Sequence, residues 1–144
     1  MKILVINGPN MNMLGVREPA LYGSSTYRDL IILCENTARE LGADCIFFQS
    51  NHEGAIIDVI HKAFEDEIDG IVINPAGYSH TSVAILDALK AVGIPTIEVH
   101  ITEPQEREEF RRIDYIALAA RETISGHGLA GYAEAIEKLI KELQ

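Results

Sequence analysis

The sequence has little positive charge and few cysteines. It carries 12 lysines and arginines against 22 aspartates and glutamates, which gives a formal net charge of -10. This balance argues against a general nucleic-acid or anionic-membrane binder, because both classes depend on a basic surface. Cys34 and Cys45 are the only cysteines, and they lack the CxxC spacing of zinc or redox sites. We therefore expect two buried free thiols and a reducing, cytoplasmic environment.

Long apolar runs are absent as well. The apolar residues between Lys2 and Asn7 are fewer than a signal peptide requires. No run approaches the roughly 20 residues of a membrane span. These absences predict a soluble, unprocessed protein. The length of 144 residues and the hydrophobic share of 47% predict one core and a single domain over residues 1–144.

Short apolar runs alternate with helical periodicities along the chain. The predicted strands cover residues 3–6, 43–49, 71–73, 95–99 and 123–124. The predicted helices begin after Ser24-Ser25-Thr26, at Ala55, after a cap at Ser79 or Thr81, and at Tyr132. Right-handed crossovers then give a parallel sheet with helices on both faces. We expect an α/β three-layer sandwich of the flavodoxin-like kind, with strand order 2-1-3-4-5.

Polar segments come after four of the predicted strands. Ligands of such sheets bind beyond the carboxyl ends of the strands, so these segments should converge on one site. They span residues 7–22, 50–53, 74–80 and 98–102. The first is long for a connection in a compact domain and is predicted to be a lid. We expect residues 15–23 to be the most mobile part of the unliganded chain, and Met11, Met13 and Leu14 to pack inside the protein.

Several cofactor sites are missing from these segments. No GxxxxGK[ST] or GxGxxG motif comes after the first strand, and no Ser/Thr-rich loop suits a flavin phosphate. The third strand ends in Asn74, whereas a phospho-receiver would need an aspartate there. The lysines fall on predicted helices or at the amino end of the first strand. Schiff-base chemistry therefore has no obvious residue to perform it.

A metal site is one alternative for the remaining polar residues. Glu98 and His100 share one face of the fourth strand, and His52, Glu53 and His80 lie nearby in the predicted fold. This grouping would suit a metal-dependent hydrolase. No HExxH motif, cysteine pair or carboxylate-rich cluster reinforces it. A strand histidine such as His100 is also compatible with a hydrogen-bonded core residue.

Acid–base chemistry is the other alternative. Tyr22 and Arg17 share the first loop, and Arg107, Arg111 and Arg112 come after the fourth strand. Because the tyrosine pKa is about 10, Tyr22 can act as a base at neutral pH only if cationic neighbours stabilise its phenolate. Arg17 and one further arginine could do this. The spacing is equally compatible with a tyrosine packed at a loop edge beside solvated arginines.

Four segments together resemble a known family. NGPNMNMLGVREPALYG, QSNHEG, INPAGYSHTSVAILDAL and IPTIEVHITEPQEREEFR are similar in order and spacing to the type II 3-dehydroquinate dehydratases, or type II dehydroquinases. The resemblance covers nearly the whole chain. It implies a flavodoxin-like fold and reversible anti elimination of water from 3-dehydroquinate, which gives 3-dehydroshikimate without metal, Schiff base or other cofactor. That step serves both the shikimate pathway and quinate breakdown, and non-catalytic binding of small carboxylates is a further alternative.

The resemblance also implies roles for residues of the first loop. Tyr22 would be the base that removes the C2 proton. Arg17 would close over the substrate and lower the pKa of Tyr22, with Arg111 as a second cationic neighbour. Asn10 would stabilise the enolate through an ordered water.

The resemblance implies further roles for residues outside the first loop. His100, oriented by Glu98, would protonate the departing hydroxyl. Asp87 would reach the substrate of a neighbouring subunit, which implies a homo-oligomer, typically a dodecamer of four trimers. Substrate contacts are implied for Asn74, His80, Asp87, Ile101, Thr102 and Arg111.

The chain departs from the family pattern in two places. The family usually has Ser-Asn where this chain has Thr102-Glu103-Pro104, which places a carboxylate near the implied carboxylate pocket. We expect Glu103 to point to solvent, because an inward carboxylate would repel the substrate. Leu86 stands where relatives often have arginine, and it is expected to alter a subunit contact.

Overall fold

The computed structural model describes residues 1–144 and contains one five-stranded sheet. The strands are β1 (Lys2–Asn7), β2 (Asp44–Gln49), β3 (Gly70–Asn74), β4 (Thr96–His100) and β5 (Glu122–Ser125). All neighbouring strands are parallel, and their order is β2-β1-β3-β4-β5. The predicted strand order and fold class are therefore confirmed. Four polar segments leave the sheet at its carboxyl edge, as the connectivity requires.

Helices cover both faces of the sheet. They are α1 (Pro19–Tyr22), α2 (Tyr27–Glu40), α3 (Glu53–Glu65), α4 (Val83–Val92) and α5 (Ala130–Leu143). The helices α2 and α5 pack on one face, and α3 and α4 pack on the other. No helix is long and apolar enough to cross a membrane. Short 3-10 turns occupy Met11–Met13, Ala76–His80, Pro104–Glu106, Glu109–Arg112 and Ile116–Leu118.

The central strand β1 is buried on both sides. Ile3 and Val5 belong to the core beneath α2 and α5, whereas Leu4 and Ile6 belong to the core beneath α3 and α4. Alternate residues of a strand face opposite sides of the sheet, so an unbroken apolar run supplies both cores. Leu86 is buried in the second core, so its side chain packs within its own chain. Its effect on a subunit contact stays a prediction.

The helix caps agree with the sequence at α2 and differ at α4. The Thr26 hydroxyl accepts a hydrogen bond from the Asp29 amide, and the Asp29 carboxylate accepts one from the Thr26 amide. At α4 the cap is Ser82, whose Oγ accepts from the Ile85 amide at 2.9 Å. The predicted caps Ser79 and Thr81 were wrong, because a 3-10 turn occupies Ala76–His80 before α4 begins.

Two expectations about apolar residues need correction. Met11 and Leu14 are buried, but Met13, at the other end of the 3-10 turn that begins with Met11, is 44% exposed. Cys34 is buried, whereas Cys45 is only half-buried on the edge strand β2. Both thiols are free, and burial raises the pKa of Cys45 to about 12.

The loops after β1 and β3 meet at Gly8. The Gly8 amide donates to the Asn74 carbonyl at 2.8 Å. A Cβ atom at Gly8 would lie 2.5 Å from the Pro75 carbonyl oxygen, closer than any side chain permits. Glycine therefore allows the two loops to approach each other at the carboxyl edge of the sheet.

Replacing Gly8 with alanine should reduce stability. The added Cβ forces the backbone of Pro75 to move, which we expect to lower the free energy of unfolding by ~1–3 kcal/mol. Chemical denaturation measures this change. Gly54→Ala is the control, because a Cβ there meets no atom within 4 Å and α3 favours alanine over glycine. Equal stability of the two variants would contradict a close loop contact at Gly8.

Candidate active site

A cleft of about 410 Å³ lies at the carboxyl ends of the strands. The loops after β1, β2, β3 and β4 all contribute to its wall, so the predicted convergence of the four segments occurs. Residues that carry charge or hydrogen-bonding groups dominate the lining. The polar members are Asn10, Arg17, Tyr22, Asn51, Asn74, Tyr78, His80, Thr81, His100, Thr102, Arg107 and Arg111.

The charge of the cleft is opposite to that of the protein. Arg17, Arg107 and Arg111 line it, and no aspartate or glutamate does. The chain as a whole has a formal net charge of -10. A cleft with concentrated positive charge and low-dielectric walls attracts anions even in an acidic protein. The site therefore suits a small anionic ligand.

Tyr22 lies in the cleft at the end of α1, with two guanidinium groups beside it. Arg107 Nη1 donates a hydrogen bond to the Tyr22 hydroxyl at 2.7 Å. The Arg17 guanidinium lies 4.9 Å from the centre of the Tyr22 ring. Two positive charges lie close to the phenol group. Tyr22 therefore brings a hydroxyl with two cationic neighbours into the cleft.

The second cationic neighbour of Tyr22 is Arg107, and the structure does not place Arg111 there. Arg111 lines the cleft, but its Nε donates to Glu108 Oε2 at 2.6 Å. The two arginines lie on either side of Glu108 in an irregular segment of 3-10 turns. Neither helical nor strand periodicity applies to such a segment, so sequence spacing did not distinguish Arg107 from Arg111.

Glu98 and His100 meet on one face of β4. Glu98 is fully buried, and its Oε2 lies 3.0 Å from His100 Nε2. The Thr123 hydroxyl on β5 donates to Glu98 Oε1 at 3.0 Å. Asp114, from the segment between β4 and β5, brings a second carboxylate to within 3.6 Å of His100 Nε2. Asp114 was not predicted, since nothing in its sequence spacing links it to the end of β4.

Burial and neighbouring charges set the pKa values of Glu98, His100 and Asp114. Burial raises the pKa of Glu98 to about 7, although His100 acts in the opposite direction. Burial lowers the pKa of His100, but the carboxylates of Asp114 and Glu98 outweigh it and raise that pKa to about 9. Burial likewise acts to raise the pKa of Asp114, yet contact with His100 and Glu98 holds it below its usual value. At neutral pH an imidazolium therefore faces an ionised Asp114.

The same group has the spacing of a metal site. The donor atoms of Glu98, His100 and Asp114 lie within 4.8 Å of one another. A metal would have to displace the proton on His100 Nε2, which both carboxylates stabilise. His52 and Glu53 line no part of the cleft. A proton and a metal would therefore compete for His100 Nε2.

Asn74 is held in place by a buried hydrogen-bond network. Its Nδ2 donates to the Tyr132 hydroxyl at 2.9 Å, and that hydroxyl donates to Asn7 Oδ1 at 2.5 Å. The Asn74 Oδ1 accepts from the Ala76 amide at 3.0 Å. Tyr132 is fully buried on α5, and sequence periodicity identified it only as part of an apolar helix face. Its hydroxyl fixes the amide orientation of Asn74 at the cleft.

The remaining predicted residues occupy different positions. Asn10 lines the cleft with left-handed backbone (φ 69°), and its amide donates to Asn51 Oδ1 at 3.0 Å. His80 Nδ1 is 2.7 Å from the Ile113 carbonyl oxygen. Ile101 and Thr102 line the cleft, and Thr102 makes no side-chain hydrogen bond within the chain. Asp87 is exposed on α4 and does not line the cleft of its own chain.

Glu103 does not point to solvent, contrary to expectation. It is half-buried, and its carboxylate accepts hydrogen bonds from the Ser125 hydroxyl at 2.5 Å and the Gln105 amide at 3.1 Å. These contacts turn it toward β5, and it does not line the arginine-rich cleft. The repulsion that an inward Glu103 would cause is therefore avoided.

Comparisons with known proteins point to one family. A family model described as dehydroquinase class II matches residues 1–140. A 3-dehydroquinate dehydratase of Caldicellulosiruptor saccharolyticus is 56% identical over 138 residues, 96% of this chain and 95% of that protein. The catabolic 3-dehydroquinase 1 of Fusarium vanettenii is 51% identical over 141 residues, 98% of this chain and 97% of that protein. The crystal structure of a type II dehydroquinase from Butyrivibrio crossotus superposes with a TM-score of 0.95 and 49% identity, covering 96% of this chain and 97% of that one.

Replacing Tyr132 with phenylalanine should destabilise the protein. The change leaves Asn7 Oδ1 buried without its donor and removes the acceptor of Asn74 Nδ2, which we expect to lower the free energy of unfolding by ~1–3 kcal/mol. Thermal or chemical unfolding measures the loss. Tyr115→Phe is the matched control, because the Tyr115 hydroxyl makes no hydrogen bond within the chain. A Tyr132 variant as stable as this control would show that the network has no net effect.

The segment 15–23 should exchange its amide hydrogens faster than α2 in the unliganded protein. No residue of this segment is buried, and Val16 is 70% exposed. Local opening is easiest where few apolar contacts must break. Hydrogen exchange read by mass spectrometry compares the two peptides in one experiment. Protection of the segment equal to that of α2 would contradict its description as a mobile lid.

Proposed function

The chain belongs to the dehydroquinase class II family and catalyses the removal of water from 3-dehydroquinate, and we propose that Tyr22 and His100 perform the two proton transfers through an enolate. The observation that carries this proposal is a cleft that combines a phenol flanked by cations with a histidine flanked by carboxylates. A base and an acid in separate electrostatic environments are what an elimination requires.

The first step is proton abstraction. The Tyr22 phenolate takes the C2 proton, and the electron pair of the C–H bond moves into the adjacent ketone to form an enolate. Arg107 and Arg17 each place a positive charge beside the phenol group that takes this proton. Arg17 and Tyr22 both belong to the lid segment, so lid closure would bring base and cation to the substrate together.

The second step expels the hydroxyl. Asn10, at the start of the lid, stabilises the enolate oxygen through a water molecule. The enolate then collapses to a double bond, and the C–O bond breaks as His100 donates its proton to the leaving oxygen. Glu98 keeps the ring in position for this transfer through its 3.0 Å contact. The products are 3-dehydroshikimate and water, and solvent returns Tyr22 and His100 to their starting states.

The substrate carboxylate and hydroxyls have matching partners in the cleft. The unpaired hydroxyl of Thr102 and the backbone of Ile101 lie at the end of β4, where they can receive the carboxylate. Asn74, His80 and Arg111 line the cleft with groups that bind hydroxyls. Contact of Asn74 with Tyr132 and of His80 with the Ile113 carbonyl fixes these side chains before substrate arrives.

Base and acid reach the substrate from different parts of the cleft. Tyr22 lies in α1 on the lid, whereas His100 is the last residue of β4, at the carboxyl edge of the sheet. Proton removal from one side and hydroxyl departure from the other is anti elimination, and the reverse sequence of transfers makes it reversible. The proposed mechanism uses no metal, imine or other cofactor.

We also propose that the protein works as a homo-oligomer, a dodecamer of four trimers. Asp87 supports this, because it is exposed on α4 and does not line its own cleft, so it is free to reach the cleft of a neighbouring copy. Within that assembly residues 1–144 act as a single catalytic domain. Two free thiols support a reducing cytoplasm as the place of action.

The substrate assay tests this function, and Tyr22→Phe tests the base. Addition of 3-dehydroquinate should raise ultraviolet absorbance as the conjugated product forms, and a chelator should leave the rate unchanged. Tyr22→Phe should lower kcat by about 10²–10⁴-fold, because it removes the proton acceptor while the cleft remains able to bind substrate. Tyr115→Phe serves as control, since Tyr115 does not line the cleft.

Three results would count against this function or its mechanism. Loss of activity on chelation would favour a metal-dependent hydrolase at Glu98 and His100. Near-normal turnover by the Tyr22 variant would remove Tyr22 as the base. Binding of 3-dehydroquinate without any product would favour a non-catalytic binder of small carboxylates.

A further inference from the structure

We propose that Asp114 is a positioning residue of the reaction, which holds the positive charge on His100 while Glu98 fixes the orientation of the ring. This inference rests on the proposed role of His100 as the general acid. Two carboxylates then share the work of one: Glu98 aligns the imidazole, and Asp114 stabilises its proton.

Asp114 is held against His100 by the backbone. Its Oδ1 accepts a hydrogen bond from the Ala117 amide at 3.1 Å, which fixes the side chain at the start of a 3-10 turn. Its Oδ2 lies 3.6 Å from His100 Nε2. Asp114 comes from the connection between β4 and β5, and its carboxylate lies beside both His100 and Glu98. The imidazole therefore has two carboxylates at one nitrogen.

The two carboxylates differ in burial. The Glu98 side chain is completely buried, whereas that of Asp114 is 20% exposed. Removing a carboxylate from water disfavours its ionised form, so Glu98 is the costlier of the two anions. The pKa of Glu98 is raised to about 7 and that of Asp114 is lowered. Near neutral pH Asp114 is therefore the more persistent counter-charge to the His100 imidazolium.

The other ring nitrogen is free to react. Both carboxylates lie at His100 Nε2, and Nδ1 makes no hydrogen bond within the chain. His100 lines the cleft, so Nδ1 is the nitrogen that can deliver a proton to the substrate. After that transfer the neutral ring keeps its Nε2 proton in the hydrogen bond to Glu98. Asp114 then favours the return of a proton from solvent to Nδ1.

The rest of the cleft opposes the imidazolium. Three guanidinium groups share the cleft with His100, and like charges make protonation of a histidine less favourable. Glu103, which comes after β4, is engaged by Ser125 and offers no compensation at the cleft. Asp114 supplies that compensation. The titratable or charged groups that face His100 are Glu98 and Asp114 at Nε2, and Arg17, Tyr22, Tyr78, His80, Arg107 and Arg111 across the cleft.

Asp114→Asn tests the inference. The amide oxygen can still accept from the Ala117 amide, so the turn is kept while the charge is removed. A general acid works below its pKa, so kcat/KM should fall as pH rises through the pKa of His100. Loss of an opposite charge lowers that pKa, and the alkaline limb should move to lower pH by about one unit or more. At a pH on that limb the variant should be about tenfold less active than the unmodified protein.

An NMR titration of the His100 ring provides a readout that needs no substrate. The midpoint should shift to lower pH in Asp114→Asn by the same amount as the kinetic limb. Asp58→Asn, which removes one exposed charge on α3 away from the cleft, should leave both unchanged. Unfolding curves establish that the compared variants are folded at the temperature of the titration.

The outcomes separate this inference from the function on which it rests. An unchanged His100 midpoint in Asp114→Asn overturns the inference even if the protein dehydrates 3-dehydroquinate normally. A drop in activity that is the same at every pH also overturns it, because that result describes a structural loss. Absence of turnover by the unmodified protein would instead overturn the proposed function, whatever the titration shows.

Discussion

A parallel sheet with both faces covered can place polar chemistry only at the ends of its strands. In this chain β3, β4 and all of β1 after Lys2 are buried, so the polar groups of the cleft come from the last residues of the strands and from the loops beyond them. Gly8 lets the loops after β1 and β3 approach each other. The hydroxyl of Tyr132, on α5, accepts a hydrogen bond from Asn74 at the end of β3 and so fixes its side chain. Glu98 is an exception, because it is a carboxylate buried in the middle of β4. It is tolerated there because His100 and Thr123 make hydrogen bonds to its two oxygens.

Electrostatics then divides the cleft into two halves with opposite requirements. In the proposed mechanism the phenol of Tyr22 accepts a proton, and the positive charges of Arg17 and Arg107 lie beside it. In the same mechanism the imidazole of His100 donates a proton, and the carboxylates of Glu98 and Asp114 lie beside it. Keeping the carboxylates behind the imidazole leaves the lining of the cleft free of negative charge. The same cleft can therefore attract an anionic substrate and still contain a protonated acid.

Regular periodicity along the chain was sufficient to predict the sheet and the edge at which the site lies. The apolar run at Ile3–Ile6, the capping signal at Thr26 and the strand–helix alternation together predicted the strand order. The contacts made by Arg107 and Asp114 escaped prediction, because both residues lie in an irregular segment whose 3-10 turns have no hydrophobic pattern. Ser82 was missed as the cap of α4 for a related reason. The 3-10 turn Ala76–His80 includes residues that spacing alone assigns to the start of the helix.

Stereochemistry tests the central claim most directly, because it reports whether base and acid act on opposite sides of the substrate. The measurement uses 3-dehydroquinate carrying deuterium stereospecifically at C2, with mass spectrometry of the 3-dehydroshikimate formed. Action of Tyr22 and His100 from opposite sides predicts loss of the deuterium that lies anti to the departing hydroxyl, with the syn label retained. Loss of the syn label would contradict this mechanism, because it would require base and acid to act on the same side.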